Sequence, residues 1–210
     1  MTPSGIPFFL LFSAVGVASG LSIHLWEIGL LKYAMWVSFL LSGFTLYFFR
    51  DPPRTPLKGK GRILSAADGK VMAIRPVEEG VQISVFLSLF NVHVNRIPIS
   101  GWVEQVEHVP GRFSLAFREK ASEQNEHTRV VIVQDVHRVI IKQIAGKVAR
   151  RIVCTLREGD VVEQGQRFGM IKFGSRVDLI VPAHTILQVK VGDQVKASES
   201  IIGVIHEAIS

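Results

Sequence analysis

Two long apolar runs open the chain. Ile6 to Ile23 is 18 residues and Tyr33 to Phe49 is 17, neither holding a charge, and each approaches the roughly 20 residues that cross a hydrocarbon core. His24, Leu25, Trp26 and Glu27 between them suit an interfacial turn. The pattern predicts a helical hairpin over residues 1–50 that spans a membrane or lies in its surface. Prolines at 52, 53 and 56 then stop the second helix and open a basic, proline-rich linker over 51–62. From residue 63 to 210 the pattern becomes that of strands. Val81 to Leu87, Thr128 to Val133, Val139 to Ile144, Val177 to Val181 and Ile186 to Val191 are rich in β-branched residues and bounded by Gly, Pro or Asp. Phe113 to Glu123 carries a helical spacing. The expectation is a mainly β (α+β) chain, a compact antiparallel β domain preceded by an N-terminal hydrophobic helical hairpin.

A weak internal echo refines the second half. Gly159-Asp160-Val161-Val162, followed by Gly169, and Gly192-Asp193-Gln194-Val195, followed by Gly203, start 33 residues apart. Gly-Asp followed by valine is turn-then-strand chemistry, and paired hammerheads of this kind occur in barrel-sandwich folds of the lipoyl-carrier type. No lysine occupies a matching hairpin tip, so the echo reads as architecture and not as a carrier site.

Composition narrows the setting. At 210 residues, 48% hydrophobic and 20% charged, the chain holds one ordinary domain with an extension and is not disordered. Cys154 is the one cysteine, so no internal disulfide forms, and without a CxxC pair or an HExxH helix no metal site is expected. The net charge of +6 is uneven: residues 1–49 hold only Glu27 and Lys32, whereas 51–174 hold 19 Lys or Arg against 13 Asp or Glu. A basic surface beside an apolar leader favours anionic lipid headgroups over nucleic acid. Arg50, Arg54, Lys58, Lys60 and Arg62, opposed by Asp51, put the domain on the cytoplasmic face of the cell (inner) membrane by the positive-inside rule. Met1-Thr2-Pro3-Ser4 lacks the positive start of a cleaved signal peptide.

One dipeptide invites chemistry. Gly174-Ser175 interrupts two β-like runs, where a strained turn brings a serine hydroxyl against the preceding carbonyl and glycine leaves that carbonyl unshielded. Alone it carries no weight. Around it, however, the chain resembles the phosphatidylserine decarboxylases, in particular their short prokaryotic form. The likeness rests on four segments in order: Phe48-Phe49-Arg50-Asp51-Pro52; Ser65-Ala66-Ala67-Asp68-Gly69-Lys70-Val71; Asn91-Val92-His93-Val94-Asn95-Arg96-Ile97-Pro98; and Phe173-Gly174-Ser175-Arg176.

The resemblance implies a proenzyme that cuts itself between Gly174 and Ser175, giving a β chain of residues 1–174 and an α chain of 175–210 as a heterodimer from one precursor. Ser175 becomes a pyruvoyl group through an ester, β-elimination and hydrolysis. That ketone is the cofactor, replacing pyridoxal phosphate, and no metal is implied. The substrate amine condenses with it as a Schiff base and the adjoining carbonyl accepts the electrons released with carbon dioxide. Phosphatidylserine is the implied substrate and phosphatidylethanolamine the product; a seryl lipid on another backbone, such as an archaeal ether lipid, suits the same chemistry. His93 and Asp68 are the implied base and its carboxylate partner, a triad with Ser175. Longer relatives carry a second histidine where this chain has Arg96, so His93 serves both self-cleavage and decarboxylation, or Arg96 binds phosphate. Arg150 and Arg151, beside Lys147, are further phosphate candidates.

Plainer readings stand beside these. Asp68-Gly69 is a good hairpin dipeptide, His93 suits a buried strand, and the Lys147–Arg151 cluster suits a solvated basic face. A serine hydrolase is disfavoured because no GxSxG elbow surrounds Ser175. A membrane-tethered adaptor that only binds partners is the alternative of another class.

Overall fold

The structure is a computed structural model and describes residues 1–26, 29–111, 125–146, 152–172 and 175–205. The helix expected over 113–123 lies outside these residues. The chain divides into two compact units, Met1–Pro52 and Pro53–Ser210.

The first unit is a helical hairpin, α1 (Ile6–Trp26) and α2 (Leu31–Phe48), preceded by one 3-10 turn at Pro3–Gly5. Its packing is inverted relative to a water-soluble protein. Gly16, Ser19, Ser38, Ser42 and Thr45 are buried, the Ser13 and Ser42 hydroxyls meet at 2.7 Å, and the Phe39 ring fits against Gly16. Meanwhile Leu21, Trp36 and Leu40 are 61%, 67% and 73% exposed. Small and hydroxylated residues between helices, with large apolar ones outward, are the packing rule for helices solvated by hydrocarbon. Among the described residues, the helix over Pro3–His24 alone is long and apolar enough to cross a membrane. At the open end, the Thr2 amide donates to the Phe49 carbonyl at 2.8 Å and Phe8 stacks on Phe49.

The second unit is antiparallel β throughout its described pairings. Its strands are β1 (Arg62–Leu64), β2 (Gly69–Val77), β3 (Gly80–Leu87), β4 (Val94–Arg96), β5 (Gly101–Val109), β6 (His127–Gln134), β7 (His137–Ile144), β8 (Ile152–Cys154), β9 (Val161–Val162), β10 (Arg167–Ile171), β11 (Ser175–Val181), β12 (Thr185–Leu187), β13 (Gln194–Val195) and β14 (Ile201–Ile205). Eight form one sheet in the order β13-β2-β3-β11-β7-β6-β5-β9, and the others form two three-stranded sheets, β1-β14-β12 and β4-β10-β8. Inward residues of all three, among them Ile63, Ile83, Val103, Ile141, Phe168 and Leu179, make a single core. Residues 53–57 lie along this unit: the Leu57 amide donates to the Ser198 carbonyl at 3.2 Å and Pro56 fills the space that a side chain at Gly165 would need.

The Gly-Asp echo is the surface sign of a larger repeat. Read from either edge, the eight-stranded sheet is the same: β13-β2-β3-β11 mirrors β9-β5-β6-β7, and β1-β14-β12 mirrors β4-β10-β8. Gly159 and Gly192 both adopt positive φ, +87° and +103°. The Asp160 and Asp193 carboxylates accept from the amides of Arg157 and Lys190 at 2.8 and 2.9 Å. Gly159 and Gly192 donate to the carbonyls of Val103 and Val71, both at 2.8 Å. In one half, β6 and β7 are joined by the tight turn Asp135-Val136. In the other, the corresponding strands β3 and β11 are opened, and residues 88–174 run between them. Ser175 therefore begins a strand where its counterpart follows a hairpin turn.

Candidate active site

The register brings Ser175 and Asp68 to one end of the large sheet. Ser175 pairs with Leu87, the last residue of β3, and Arg176 pairs with Ile144, the last of β7. On the other side of β3, Lys70 pairs with Phe86, so Asp68 sits just beyond the start of β2 at the same end. Two interstrand spacings, about 10 Å, separate the backbones of β2 and β11. Gly69 is required for this closeness, because a Cβ there would stand 2.2 Å from the Phe86 carbonyl oxygen. Gly174, Arg150 and Arg151 lie outside the described residues, and Ser175 is placed here by its backbone alone.

His93 is held from two directions. The β3–β4 connection turns on Asn91, whose side-chain oxygen accepts from the Ser88 amide and hydroxyl at 2.8 and 2.7 Å, directly after the residue opposite Ser175. The Ile171 amide donates to the His93 carbonyl at 3.4 Å, tying it to the strand that ends just before the Gly174-Ser175 dipeptide. The fully buried ring places Nδ1 3.0 Å from the Asn91 carbonyl. A carbonyl only accepts, so Nδ1 carries a proton, and whenever the ring is uncharged its lone pair falls on Nε2. That is the tautomer a general base needs.

Asp68 is buried but is not the group that orients His93. One carboxylate oxygen accepts from the Ala197 amide at 2.8 Å; the other pairs with Arg54 at 2.7 Å, and Arg54 also pairs with Glu199 at 2.7 Å. Burial pushes the Asp68 carboxyl above the usual carboxylate range, and the Ala197 amide and the Arg54 guanidinium partly offset it. The repeat contains its counterpart: the Ser100 hydroxyl accepts from the Gln164 amide at 2.9 Å. Capping that turn needs only an oxygen; at residue 68 the oxygen belongs to an acid.

Arg176 and Asp178 lock β11 beside the junction. The guanidinium meets both carboxylate oxygens at 2.6 and 2.9 Å and donates to the Ser84 hydroxyl on β3 at 2.8 Å, all of it buried. Arg96 is buried, donates to the Gly165 carbonyl at 3.2 Å, and lines a cleft of ≈ 570 Å³ with Arg54 and Arg167.

Comparison with known proteins gives the chain its relatives. A family model described as phosphatidylserine decarboxylase matches residues 41–203. The phosphatidylserine decarboxylase proenzyme of Chlorobium limicola is 43% identical over 208 residues, 96% of this chain and 98% of its own length. That of Chlorobium chlorochromatii is 51% identical over 173 residues, 80% and 81% of the two chains, and that of Syntrophus aciditrophicus 42% over 210, 95% and 94%. The chain belongs to the phosphatidylserine decarboxylase family. The matched residues 41–203 contain all four segments on which the resemblance in sequence rests.

Several residues around this candidate site were not legible in the sequence. Asn91, which sets the histidine tautomer, sits inside the motif, but nothing in its identity says that its backbone carbonyl faces the ring. Arg54 reads as part of a basic linker and instead binds Asp68. Leu89 and Phe90, 43% and 70% exposed on the loop that leads to His93, carried one unused signal: two adjacent large apolar residues in a turn.

Proposed function

We propose that this chain is a proenzyme that cuts itself between Gly174 and Ser175 and then decarboxylates phosphatidylserine to phosphatidylethanolamine, with residues 63–210 as the catalytic domain. The observation that carries the reading is the placement of Ser175. It opens a central strand of one sheet, while the strand before it, β10, belongs to another. Breaking the three-residue connection leaves both ends held by their own partners.

The chemistry follows from the chain's own groups. The Ser175 hydroxyl attacks the Gly174 carbonyl, the amide C–N bond breaks with a proton passing to its nitrogen, and an ester forms; His93 Nε2 is the proposed base for the hydroxyl proton. Removal of the residue 175 Cα proton expels the Gly174 carboxylate, leaving dehydroalanine, and water replaces its nitrogen as ammonia. The Asn91 carbonyl, by holding a proton on Nδ1, leaves Nε2 as the ring nitrogen that gains and returns the proton. Asp68, an acid held at the same end of the sheet, exchanges protons with the site. The pyruvoyl ketone so formed supplies the electron sink that loss of an α-carboxylate requires.

Location supports the lipid substrate. The hairpin with its inverted packing is proposed to hold residues 1–48 in the cell membrane, with the domain on the cytoplasmic face as the basic residues after it direct. Arg96, with Arg54 and Arg167 in one cleft, is proposed to meet the phosphate of an anionic lipid, and exposed Leu89 and Phe90 its acyl region. A denaturing gel tests the reading: wild type runs as fragments of 174 and 36 residues, and Ser175→Ala as one intact chain. A wild-type chain that stays whole while releasing carbon dioxide from phosphatidylserine would end it.

A further inference from the structure

Behind the junction, two amides are buried completely. Asn95 lies on β4 opposite Gly169, and Gln143 lies on β7 opposite Val177, two positions along β11 from Ser175, or about 7 Å. The Gln143 Nε2–H donates to the Asn95 side-chain oxygen at 2.8 Å, joining the large sheet to the one that carries β10. Both residues are 0% exposed. The bond leaves two atoms over: the Asn95 Nδ2 donor and the Gln143 Oε1 acceptor have no hydrogen-bond partner among the described residues. The surroundings are shaped to admit this pair, because a Cβ at Gly169 would stand 2.8 Å from Gln143 Nε2.

Burying an amide donor and an acceptor without partners is costly, and the plain purpose of joining two sheets needs neither atom. A pair of apolar side chains would serve it as well. One donor and one acceptor side by side, close to the reacting residue, match a group that offers the reverse: an α-amino acid head, whose carboxylate accepts and whose ammonium donates. We infer that Asn95 and Gln143 form the subsite for the seryl head of the lipid, with Asn95 Nδ2 donating to the carboxylate and Gln143 Oε1 accepting from the amino group. This assignment rests on the self-cleaving decarboxylase reading above.

Neutral amides suit the reaction better than an arginine. The carboxylate loses its charge as carbon dioxide forms, so a guanidinium would stabilise the starting state more than the transition state. A single amide donor in an apolar setting orients the carboxylate without holding its charge. The subsite also separates substrate from product, since an ethanolamine head has no carboxylate to bind.

The test uses the full-length chain in detergent micelles containing phosphatidylserine. Asn95→Leu/Gln143→Met removes both amides with little change in volume. The double variant is expected to cut itself, to melt no lower than wild type because two unsatisfied polar atoms are gone, and to lose roughly 10- to 100-fold in kcat/KM, mostly through KM. Asn95→Asp keeps an acceptor for Gln143 and replaces the amide donor with a second carboxyl oxygen, which when ionised repels the lipid carboxylate, so it is expected to cut and to show at least a comparable rise in KM; it decides the matter if the double variant does not fold. A cut double variant, or a cut Asn95→Asp, with KM within twofold of wild type overturns the subsite while leaving the self-cleavage reading intact. An uncut wild-type chain overturns that reading itself, and the subsite with it.

Discussion

A cut ahead of residue 175 would leave a small chain of 36 residues, 175–210, threaded through the rest of the domain. It supplies β11, between β3 and β7, along with β13 at one edge of the large sheet and both β12 and β14 of a smaller one. Six of its side chains, Val177, Leu179, Val181, Val195, Ile202 and Ile205, belong to the common core. At roughly 1.5–3 kcal/mol for each buried aliphatic side chain, their burial is worth about 9–18 kcal/mol gross. Ordering the small chain reduces that figure, but separation must also break the pairing of β11 along both its edges. The lower end already corresponds to submicromolar association. The prediction is that the two chains stay together at micromolar concentration. With an affinity tag on the C-terminus, the 174-residue chain is expected to remain on the resin through native detergent washes and to leave in guanidinium. Release of the large chain in native buffer would refute the reasoning from topology.

Arg54→Gln removes the cation that offsets burial at Asp68, so the carboxyl moves further above its usual range. A raised carboxyl gives stability that is full below the unfolded value and is lost as pH rises through the folded one; in the variant that loss falls at higher pH, and the acid limb of the self-cleavage rate moves upward with it, as stopped time courses across pH would record. Asp178→Ala leaves the buried Arg176 without its carboxylate and is expected to cost about 3–5 kcal/mol, read as a lower urea midpoint, whereas Arg176→Met/Asp178→Leu is expected to be close to neutral. Cys154→Ser is expected to leave cleavage and turnover unchanged, because burial pushes the Cys154 thiol up and away from nucleophilic use.

Much of the fold was legible because its signals are local. β-branched runs bounded by glycine and aspartate named β3, β6, β7 and β11 within a residue or two, and the Gly-Asp turns at 159 and 192 pointed to what proved to be the two edges of one sheet. The run Ile186 to Val191 was read too long: β12 ends at Leu187, and its β-branched residues continue into the approach to the turn. The extent of the repeat was hidden, because Ser100 does for one half what Asp68 does for the other with a different side chain. The site was legible as a set of residues but not as a set of partners. Histidine and aspartate suggest a pair, yet the His93 ring is addressed by a backbone carbonyl and Asp68 by an arginine from the segment that reads as linker. Asn95 and Gln143, 48 residues apart, meet only through the packing of two sheets.

The most direct measurement is the intact mass of the small chain after treatment with hydroxylamine. The expected product is a fragment beginning at residue 175 that is lighter than its serine form by one ammonia and that gains an oxime. A fragment with an ordinary N-terminal serine, unreactive toward hydroxylamine, in a preparation that decarboxylates phosphatidylserine would contradict it.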